Sequence, residues 1–235
     1  MKSPYEIKRK IVALGTFIEI TWQGNDTMQH EITLAFDEIK KLETIFSYHN
    51  NESELTKFNI FQKTKSIELK TLLKIVKCLK NQTNNIFNPI NPQNNIDLGG
   101  IAKGFIVDKI AKKLKSFGIN GIINAGGDIR IFGTYNAPIY IRDPFNFENN
   151  IYIGNFQNTS IASSCISENS QIRGGKSIVY KPSDVIHASI FGKSCTICDA
   201  MTKVALTNPE IALEILKKIG YHGFIIDKHG NKFTS

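Results

Sequence analysis

Two stretches in the first third of the chain repeat apolar residues at intervals of three and four positions. The first extends from Met28 to Phe46 and the second from Ile67 to Asn81. This spacing places apolar side chains on one face of a helix, so both stretches are predicted to be amphipathic helices. Asp26 or Thr27 is predicted to cap the first of them, and a short helix is predicted from Ser53 to Asn59.

Apolar positions in most of the remaining chain alternate or cluster over short lengths, as they do in β-strands. Residues 11–22 are predicted as the first strand. Further strands are predicted at 119–124, 129–132, 138–141, 151–154, 159–164, 177–180 and 185–192, with a hairpin at 224–233. Helices are predicted from the segment 97–108 to Gly118, at 194–206, and from Asn208 to Gly220. Because helices and strands are partly segregated, we predict a single α+β domain over residues 1–235, with a mixed or antiparallel sheet.

The composition is that of an ordinary globular protein, with 41% hydrophobic and 21% charged residues. The formal net charge of +8 suits an anionic ligand, but the lysines are spread along the chain, which argues against nucleic acid as a partner. No stretch reaches the roughly 18 apolar residues that a membrane-spanning helix needs. Glu19 interrupts the N-terminal apolar run and no signal cleavage site follows, so a cytoplasmic location is predicted.

The cysteines are too few to build a disulfide scaffold, since there are 4 in 235 residues. This number favours a reducing compartment. Cys195 and Cys198 have the spacing of a redox or metal-binding pair, but no second pair of that kind accompanies them. We therefore predict that both side chains pack on one face of a helix start.

The segment from Asp97 to Asp108 is rich in glycine and reads D-L-G-G-I-A-K-G-F-I-V-D. Glycines ahead of a helix let the backbone approach a phosphate group, and the helix N-terminus favours a negative charge there. Lys103 would add a cation. On this pattern alone, a tight turn from a strand into a helix is the alternative interpretation.

Several segments, taken in order, make the chain resemble the ApbE-type flavin transferases, which are FAD:protein FMN transferases. The most specific are the glycine-rich segment above and the sequence N-A-G-G-D-I-R-I-F-G at 124–133. The resemblance covers nearly the whole chain and implies an ApbE-like fold that is related to the T-fold. It is also carried by Leu14-Gly15-Thr16, Ser53-Glu54-Leu55, Asn59, Phe87-Asn88-Pro89, Ile161-Ala162-Ser163-Ser164 and Asp199-Ala200-Met201-Thr202.

The resemblance implies a reaction and a set of site residues. With Mg²⁺, such an enzyme splits the pyrophosphate of FAD, passes FMN to a Thr or Ser hydroxyl of an acceptor protein and releases AMP. The implied catalytic residues are Asp199, Thr202 and Lys203, and the implied Mg²⁺ ligands are the Ala102 carbonyl, Asp199 and Thr202. The residues implied to bind FAD are Gly99, Gly100, Ala102, Lys103, Gly104, Gly126, Gly127 and Asp128.

The chain departs from the family's pattern at the implied metal site. Where the family carries a Thr four residues after the metal-binding Asp, this chain has Lys203, and Thr202 stands one position earlier. Either Thr202 substitutes for that Thr, because position +3 faces roughly the same way, or Lys203 places an ammonium where the cation would otherwise lie.

Two more departures concern the strands before that helix. The family's His-Ile-Ile-Asp-Pro-like strand has no counterpart in residues 177–185, and Cys165 replaces a glycine. His187 lies on the following strand, where a single His is expected to be structural. A flavin- or nucleotide-binding homologue without transferase activity is therefore the alternative hypothesis.

Overall fold

The computed structural model describes residues 5–24, 26–146, 148–166 and 183–235. Within these ranges it contains six α-helices and ten β-strands. The helices are α1 (Gln29–Phe46), α2 (Glu54–Phe61), α3 (Ile67–Gln82), α4 (Ala102–Ser116), α5 (Cys195–Thr207) and α6 (Pro209–Ile219). The strands are β1 (Glu6–Ala13), β2 (Thr16–Gln23), β3 (Asn120–Ala125), β4 (Asp128–Phe132), β5 (Asn136–Arg142), β6 (Asn150–Gln157), β7 (Ser160–Cys165), β8 (Val185–Gly192), β9 (His222–Asp227) and β10 (Lys232–Thr234).

Eight of the strands form one sheet in the order β1-β2-β3-β4-β7-β8-β9-β10, and every neighbouring pair is antiparallel. Strands β5 and β6 form a separate antiparallel hairpin between β4 and β7 in sequence. The predicted α+β fold is confirmed, and the sheet takes the antiparallel form. Within the described ranges, no helix has both the length and the apolar character needed to cross a bilayer.

The two faces of the sheet bury two different cores, because successive side chains on a strand point to opposite sides. Ala162 of β7 and Ile190 of β8 belong to the large core that the helices cover. Their neighbours Ile161 and Phe191 belong to a smaller core that includes residues of the hairpin β5–β6. The hairpin therefore lies over β4, β7 and β8 on the face opposite the helices.

The predicted first strand at 11–22 is wrong, because the chain folds there into the hairpin β1–β2. Leu14 and Gly15 form its two-residue turn with φ angles of 55° and 70°, and Ala13 pairs with Thr16. The Leu14 N–H donates to Oε1 of Glu43 at 2.6 Å, which supports this backbone conformation. Leucine is rare at a positive φ, and the apolar pattern continues across the turn, so Gly15 is the local turn signal and the pattern around it hides the break.

Local signals predicted most helix ends correctly. Ser53, Ser66, Ser194 and Asn208 each accept an N-cap hydrogen bond from the first turn of a helix. Gly118 and Gly220 follow α4 and α6 with φ angles of 79° and 69°. The first helix differs, because a 3-10 turn at 26–28 precedes α1 and its N-cap position is Met28, without a side-chain cap. The strand predicted at 177–180 lies outside the described residues.

Candidate functional site

Asp108 of α4 lies at the first turn of α5. Its Oδ1 accepts a hydrogen bond from the backbone N–H of Cys195 at 2.9 Å. Its Oδ2 accepts hydrogen bonds from the N–H and the hydroxyl of Thr196 at 2.9 and 2.7 Å and from the Ser194 hydroxyl at 2.6 Å. The carboxylate thereby satisfies donors that the first turn of a helix leaves unpaired, at the positive end of the helix dipole.

Asp199 of α5 makes the reciprocal contact with α4. Its Oδ2 accepts a hydrogen bond from the N–H of Gly104 at 3.1 Å. A Cβ at Gly104 would lie 2.4 Å from the carbonyl oxygen of Cys195, so the two helices can approach this closely only at a glycine. Since residue 104 meets 199 and residue 108 meets 195, the helices run antiparallel, and each one caps the other.

The ammonium of Lys203 lies against the other carboxylate oxygen of Asp199. It donates to Asp199 Oδ1, to the Ser164 hydroxyl at 3.1 Å and to the Thr202 hydroxyl at 3.0 Å. The two hydroxyl oxygens are 2.8 Å apart. Asp199 and Thr202 are fully buried, and 14% of the Lys203 side chain is exposed. Both oxygens of Asp199 are thus engaged by donors of the protein itself.

Lys103 and Asp128 form a second ion pair beside the first. Asp128 is the first residue of β4 and is buried, whereas 30% of the Lys103 side chain is exposed. The turn before Asp128 consists of Gly126 and Gly127, whose φ angles are 64° and 99°. A Cβ on Gly126 would lie 2.5 Å from the hydroxyl of Thr16, so this turn requires glycine for both conformation and space.

The pKa values of Asp128, Asp199 and Lys103 are shifted because the charged groups share a buried region. Burial and the charge of Asp199 raise the pKa of Asp128 to about 6, although Lys103 and Lys203 act against this rise. Burial would raise the pKa of Asp199, but the ammoniums of Lys203 and Lys103 outweigh it and lower that pKa. Burial disfavours the charge on Lys103, but Asp199 and Asp128 nevertheless raise its pKa. Asp199 is therefore the firmly ionised carboxylate of the cluster.

A cavity of about 850 Å³ lies between the hairpin β5–β6 and the sheet. Its walls combine isoleucines of β4, β5 and β7 with polar residues of β2, β7 and the glycine turn. The lining residues are Thr16, Phe17, Glu19, Asn124, Gly126, Gly127, Ile129, Ile139, Tyr140, Ile141, Arg142, Pro144, Asn150, Ile161, Ser163, Ser164, Cys165 and His187. Ser164 contacts Lys203 and Gly127 adjoins Asp128, so the charged cluster lies next to this cavity.

His187 forms a hydrogen-bonded chain on the cavity wall with Ser189 of its own strand and Ser163 of the neighbouring strand β7. Its Nε2 lies 2.8 Å from the Ser189 hydroxyl, and that hydroxyl lies 2.8 Å from the Ser163 hydroxyl. Burial lowers the pKa of His187 to about 4, and the charge of Asp143 only partly opposes this effect. His187 is therefore neutral near pH 7.

The cysteine pair at the start of α5 packs as predicted. Cys195 and Cys198 are buried free thiols, and their sulfurs face the carbonyl oxygens of Ile161 and Ser160 at 3.9 and 3.7 Å. Burial raises the pKa of both thiols. Neither thiol has the character of a reactive thiolate.

Comparison with protein families connects this geometry to a known group of proteins. The model of the ApbE family matches residues 90–225, which is more than half of the 235 residues. The chain belongs to the ApbE family. The matched segment contains both ion pairs, the glycine turn and all of α4 and α5. No curated protein sequence matches the chain.

Solved ApbE structures share the fold at low sequence identity. The ApbE protein of Thermotoga maritima is 19% identical, with a TM-score of 0.80 over 98% of this chain and 97% of that one. The flavin transferase ApbE of Vibrio cholerae is 18% identical, with a TM-score of 0.80 over 99% and 98%. The apo flavinyl transferase ApbE of Pseudomonas stutzeri is 13% identical, with a TM-score of 0.80 over 99% and 94%.

The structure brings together some of the predicted site residues and separates others from the cavity. Two of them, Gly126 and Gly127, line the cavity. Six more form the charged cluster or its backbone support, namely Lys103, Gly104, Asp128, Asp199, Thr202 and Lys203. Gly99, Gly100 and Ala102 precede or begin α4, and in the described part of the chain neither these three nor the six residues of the cluster line the cavity. Positive φ angles occur at Gly126 and Gly127, whereas Gly99 and Gly100 adopt none.

Two residues of this ApbE site were not predicted from the sequence. The family resemblance included Ser164 but assigned it no contact. Its place beside Lys203 of α5 follows only from the fold, in which β7 pairs with β8. Asp108 lies one helical turn after Gly104 and thus on the same face of α4. That spacing, together with the Ser-Cys-Thr start of α5, is a signal that could have identified Asp108 as a cap.

The residues around Asp199 do not fit a divalent cation in this arrangement. Oδ1 of Asp199 accepts from the Lys203 ammonium, and Oδ2 accepts from the Gly104 N–H. The hydroxyl of Thr202 donates to the carbonyl of Asp199 and lies 3.0 Å from the Lys203 ammonium. Of the implied ligands Ala102, Asp199 and Thr202, the last two are therefore already occupied by the Lys203 ammonium.

Proposed function

We propose that this chain is an FAD:protein FMN transferase. In that reaction the hydroxyl oxygen of a Thr or Ser on an acceptor protein bonds to the phosphorus of the FMN half of FAD. The P–O bond to the AMP half breaks, AMP leaves with the electron pair, and the proton of the acceptor hydroxyl is released to water. Membership of the ApbE family supports this proposal, as does the fold shared with proteins named flavin transferases.

The observation that carries the proposal is the cavity beside the charged cluster. Its volume of about 850 Å³ is in the range that small-molecule and cofactor sites occupy. The isoleucines and Tyr140 offer apolar surface to a flavin ring, whereas Ser163, Ser164 and the Gly126–Gly127 turn offer hydroxyls and backbone to phosphates. A ligand that combines an apolar ring with a pyrophosphate matches this lining.

Lys103 is the residue that we assign to the pyrophosphate. Phosphoryl transfer depends mainly on positioning and on the neutralisation of developing negative charge. The Lys103 ammonium carries three N–H donors and contacts Asp128, and we assign its other donors to a phosphate oxygen because 30% of the side chain is exposed. Asp128 holds the ammonium in place, and the Gly126–Gly127 turn lets the ligand approach the backbone.

An incubation of the protein with FAD and an acceptor protein, with Mg²⁺ or with EDTA, tests the proposal. After a denaturing gel, flavin fluorescence is expected on the acceptor, and it is expected to be absent when the acceptor Thr is replaced by Ala. FAD binding without covalent FMN on the acceptor in either condition would contradict the transferase proposal.

One observation favours a second candidate, an FAD-binding homologue without transferase activity. The Mg²⁺ dependence implied by the resemblance has no fitting site around Asp199, because Lys203 engages the carboxylate. If transfer requires a divalent ion at that place, the chain would bind FAD and leave it intact. The same incubation separates the two candidates, since it measures FAD binding and covalent transfer on one sample.

A further inference from the structure

The Lys203 ammonium lies in an oxygen-lined position that resembles a small cation site. An ammonium carries three N–H donors. Lys203 has three oxygen partners, namely Oδ1 of Asp199 and the hydroxyls of Thr202 and Ser164. The donors and acceptors match one to one, and 14% of the side chain is exposed. Carboxylate and hydroxyl oxygens are also the ligands that Mg²⁺ prefers.

We propose that the Lys203 ammonium takes the place of a divalent metal ion at Asp199, so that this chain binds the pyrophosphate of FAD without a metal. The identity of the ligand rests on the proposed function. The exclusion of metal from Asp199 rests only on the contacts of Lys203 and can be tested without any flavin.

The charges of the cluster balance without a metal. Two carboxylates, Asp128 and Asp199, face two ammoniums, Lys103 and Lys203. A divalent ion at Asp199 would add two positive charges next to an ammonium that already neutralises the carboxylate. Displacing Lys203 would require its buried hydrogen bonds to be broken as well, and such charge-assisted bonds are strong.

Contacts from α4, α5 and β7 hold the Lys203 ammonium at Asp199. Asp199 and Lys203 are four residues apart on α5, the spacing at which side chains on one helix face meet. The second oxygen of Asp199 is fixed by the Gly104 N–H of α4. Ser164 lines the cavity as well as contacting Lys203, so the positive charge borders the space assigned to the ligand.

Titration with Mn²⁺, followed by electron paramagnetic resonance of the free ion, tests the metal exclusion. The wild-type protein and the Asp199→Asn variant are expected to bind Mn²⁺ alike. Lys203→Thr, which removes the ammonium, is expected to gain one Mn²⁺ site, and the double variant with Asp199→Asn should lose it. Wild-type Mn²⁺ binding that Asp199→Asn abolishes would overturn the proposal, and this comparison does not depend on Lys203→Thr folding.

FAD affinity, measured by quenching of flavin fluorescence, tests the second part of the proposal, which is that the chain binds the pyrophosphate of FAD without a metal. The wild-type Kd is expected to agree within about twofold between Mg²⁺ and EDTA, whereas Lys203→Thr should bind at least ~10-fold more weakly in EDTA and recover with Mg²⁺. Lys218→Thr is the matched control, since Lys218 forms an exposed i,i+4 pair with Glu214. It should behave as wild type.

Two results of the affinity measurement would overturn the inference. One is a wild-type Kd that weakens about tenfold or more in EDTA. The other is an unchanged affinity of folded Lys203→Thr in EDTA, which would make Lys203 a structural ion pair only. If FAD binds under no condition, the proposed function fails together with the pyrophosphate half, and the Mn²⁺ titration still decides the metal exclusion.

Discussion

Replacing Gly104 by Ala tests the close crossing of α4 and α5 that supports the candidate site. The added Cβ would lie 2.4 Å from the carbonyl oxygen of Cys195 and 2.9 Å from Cβ of Asp199. Both atoms belong to α5, and the first is backbone, so a side-chain rotation cannot relieve the contact. The helices must separate, and the hydrogen bond from the Gly104 N–H to Asp199 must lengthen.

Two opposing contributions decide the sign of the effect on stability. Ala is favoured over Gly in a helix interior by about 1 kcal/mol, which on its own would stabilise the variant. Overpacking a well-packed interface costs about 1–3 kcal/mol, and occasionally more. Because the contact is with backbone, we expect the upper part of that range and a net loss of roughly 1–2 kcal/mol. For a chain of this size that loss corresponds to a decrease in Tm of roughly 2–8 °C.

Urea unfolding followed by circular dichroism measures this difference in the free energy of unfolding. The exposed Lys112 on the same helix provides the baseline, because Lys112→Gly and Lys112→Ala differ only in helix propensity. Lys112→Ala should be the more stable of that pair, whereas Gly104→Ala should be less stable than wild type. A Gly104→Ala variant as stable as wild type, or more stable, would refute the close crossing.

Two further predictions concern the buried His187 and the helix-capping carboxylate of Asp108. The pKa of His187 is about 4 in the fold and ~6.5 in an unfolded chain, so the unfolded state takes up the proton first. The His187 contribution to stability is then full above about pH 6.5 and is reduced by roughly 3 kcal/mol at pH 4. Asp128, whose pKa is raised to about 6, titrates in the same window with the opposite sign, so the test is a difference. Relative to wild type in urea unfolding, His187→Asn should gain roughly 3 kcal/mol between pH 7 and pH 4, whereas the exposed His30→Asn should show no such gain. Asp108→Asn should lower the free energy of unfolding by roughly 1–3 kcal/mol, whereas Asp184→Asn, at an exposed ion pair, should lower it by less than ~1 kcal/mol. Equal losses in the two variants would contradict the capping role of Asp108.

Features with a local physical cause were predictable from the sequence. Ser53 and Asn208 cap helices because their side chains accept bonds from residues three positions later, and Gly118 ends α4 because glycine tolerates a positive φ. The turn at Leu14 was not predicted, because the cause of its conformation is not local. Its conformation depends on a hydrogen bond that the Leu14 N–H donates to the Glu43 carboxylate, which is 29 residues away in the chain.

The candidate site was predictable in part, and mainly through the family resemblance. That resemblance named Lys103, Asp128 and Asp199, which the fold does bring together. It left open whether Thr202 or Lys203 takes the cation position, because residue type alone does not fix where a long side chain points. Ser164 decides the geometry, and its contact with Lys203 spans 39 residues of sequence.

The intact mass of an acceptor protein after incubation with FAD tests the central claim most directly. The wild-type protein should add the mass of one FMN to the acceptor. Lys103→Met should abolish this addition. Lys109→Met is the control, because Lys109 lies on the same helix α4 as Lys103 but pairs with Glu68 of α3, and this variant should preserve the addition. An acceptor of unchanged mass beside wild-type protein with bound FAD, or full modification by Lys103→Met, would contradict the account.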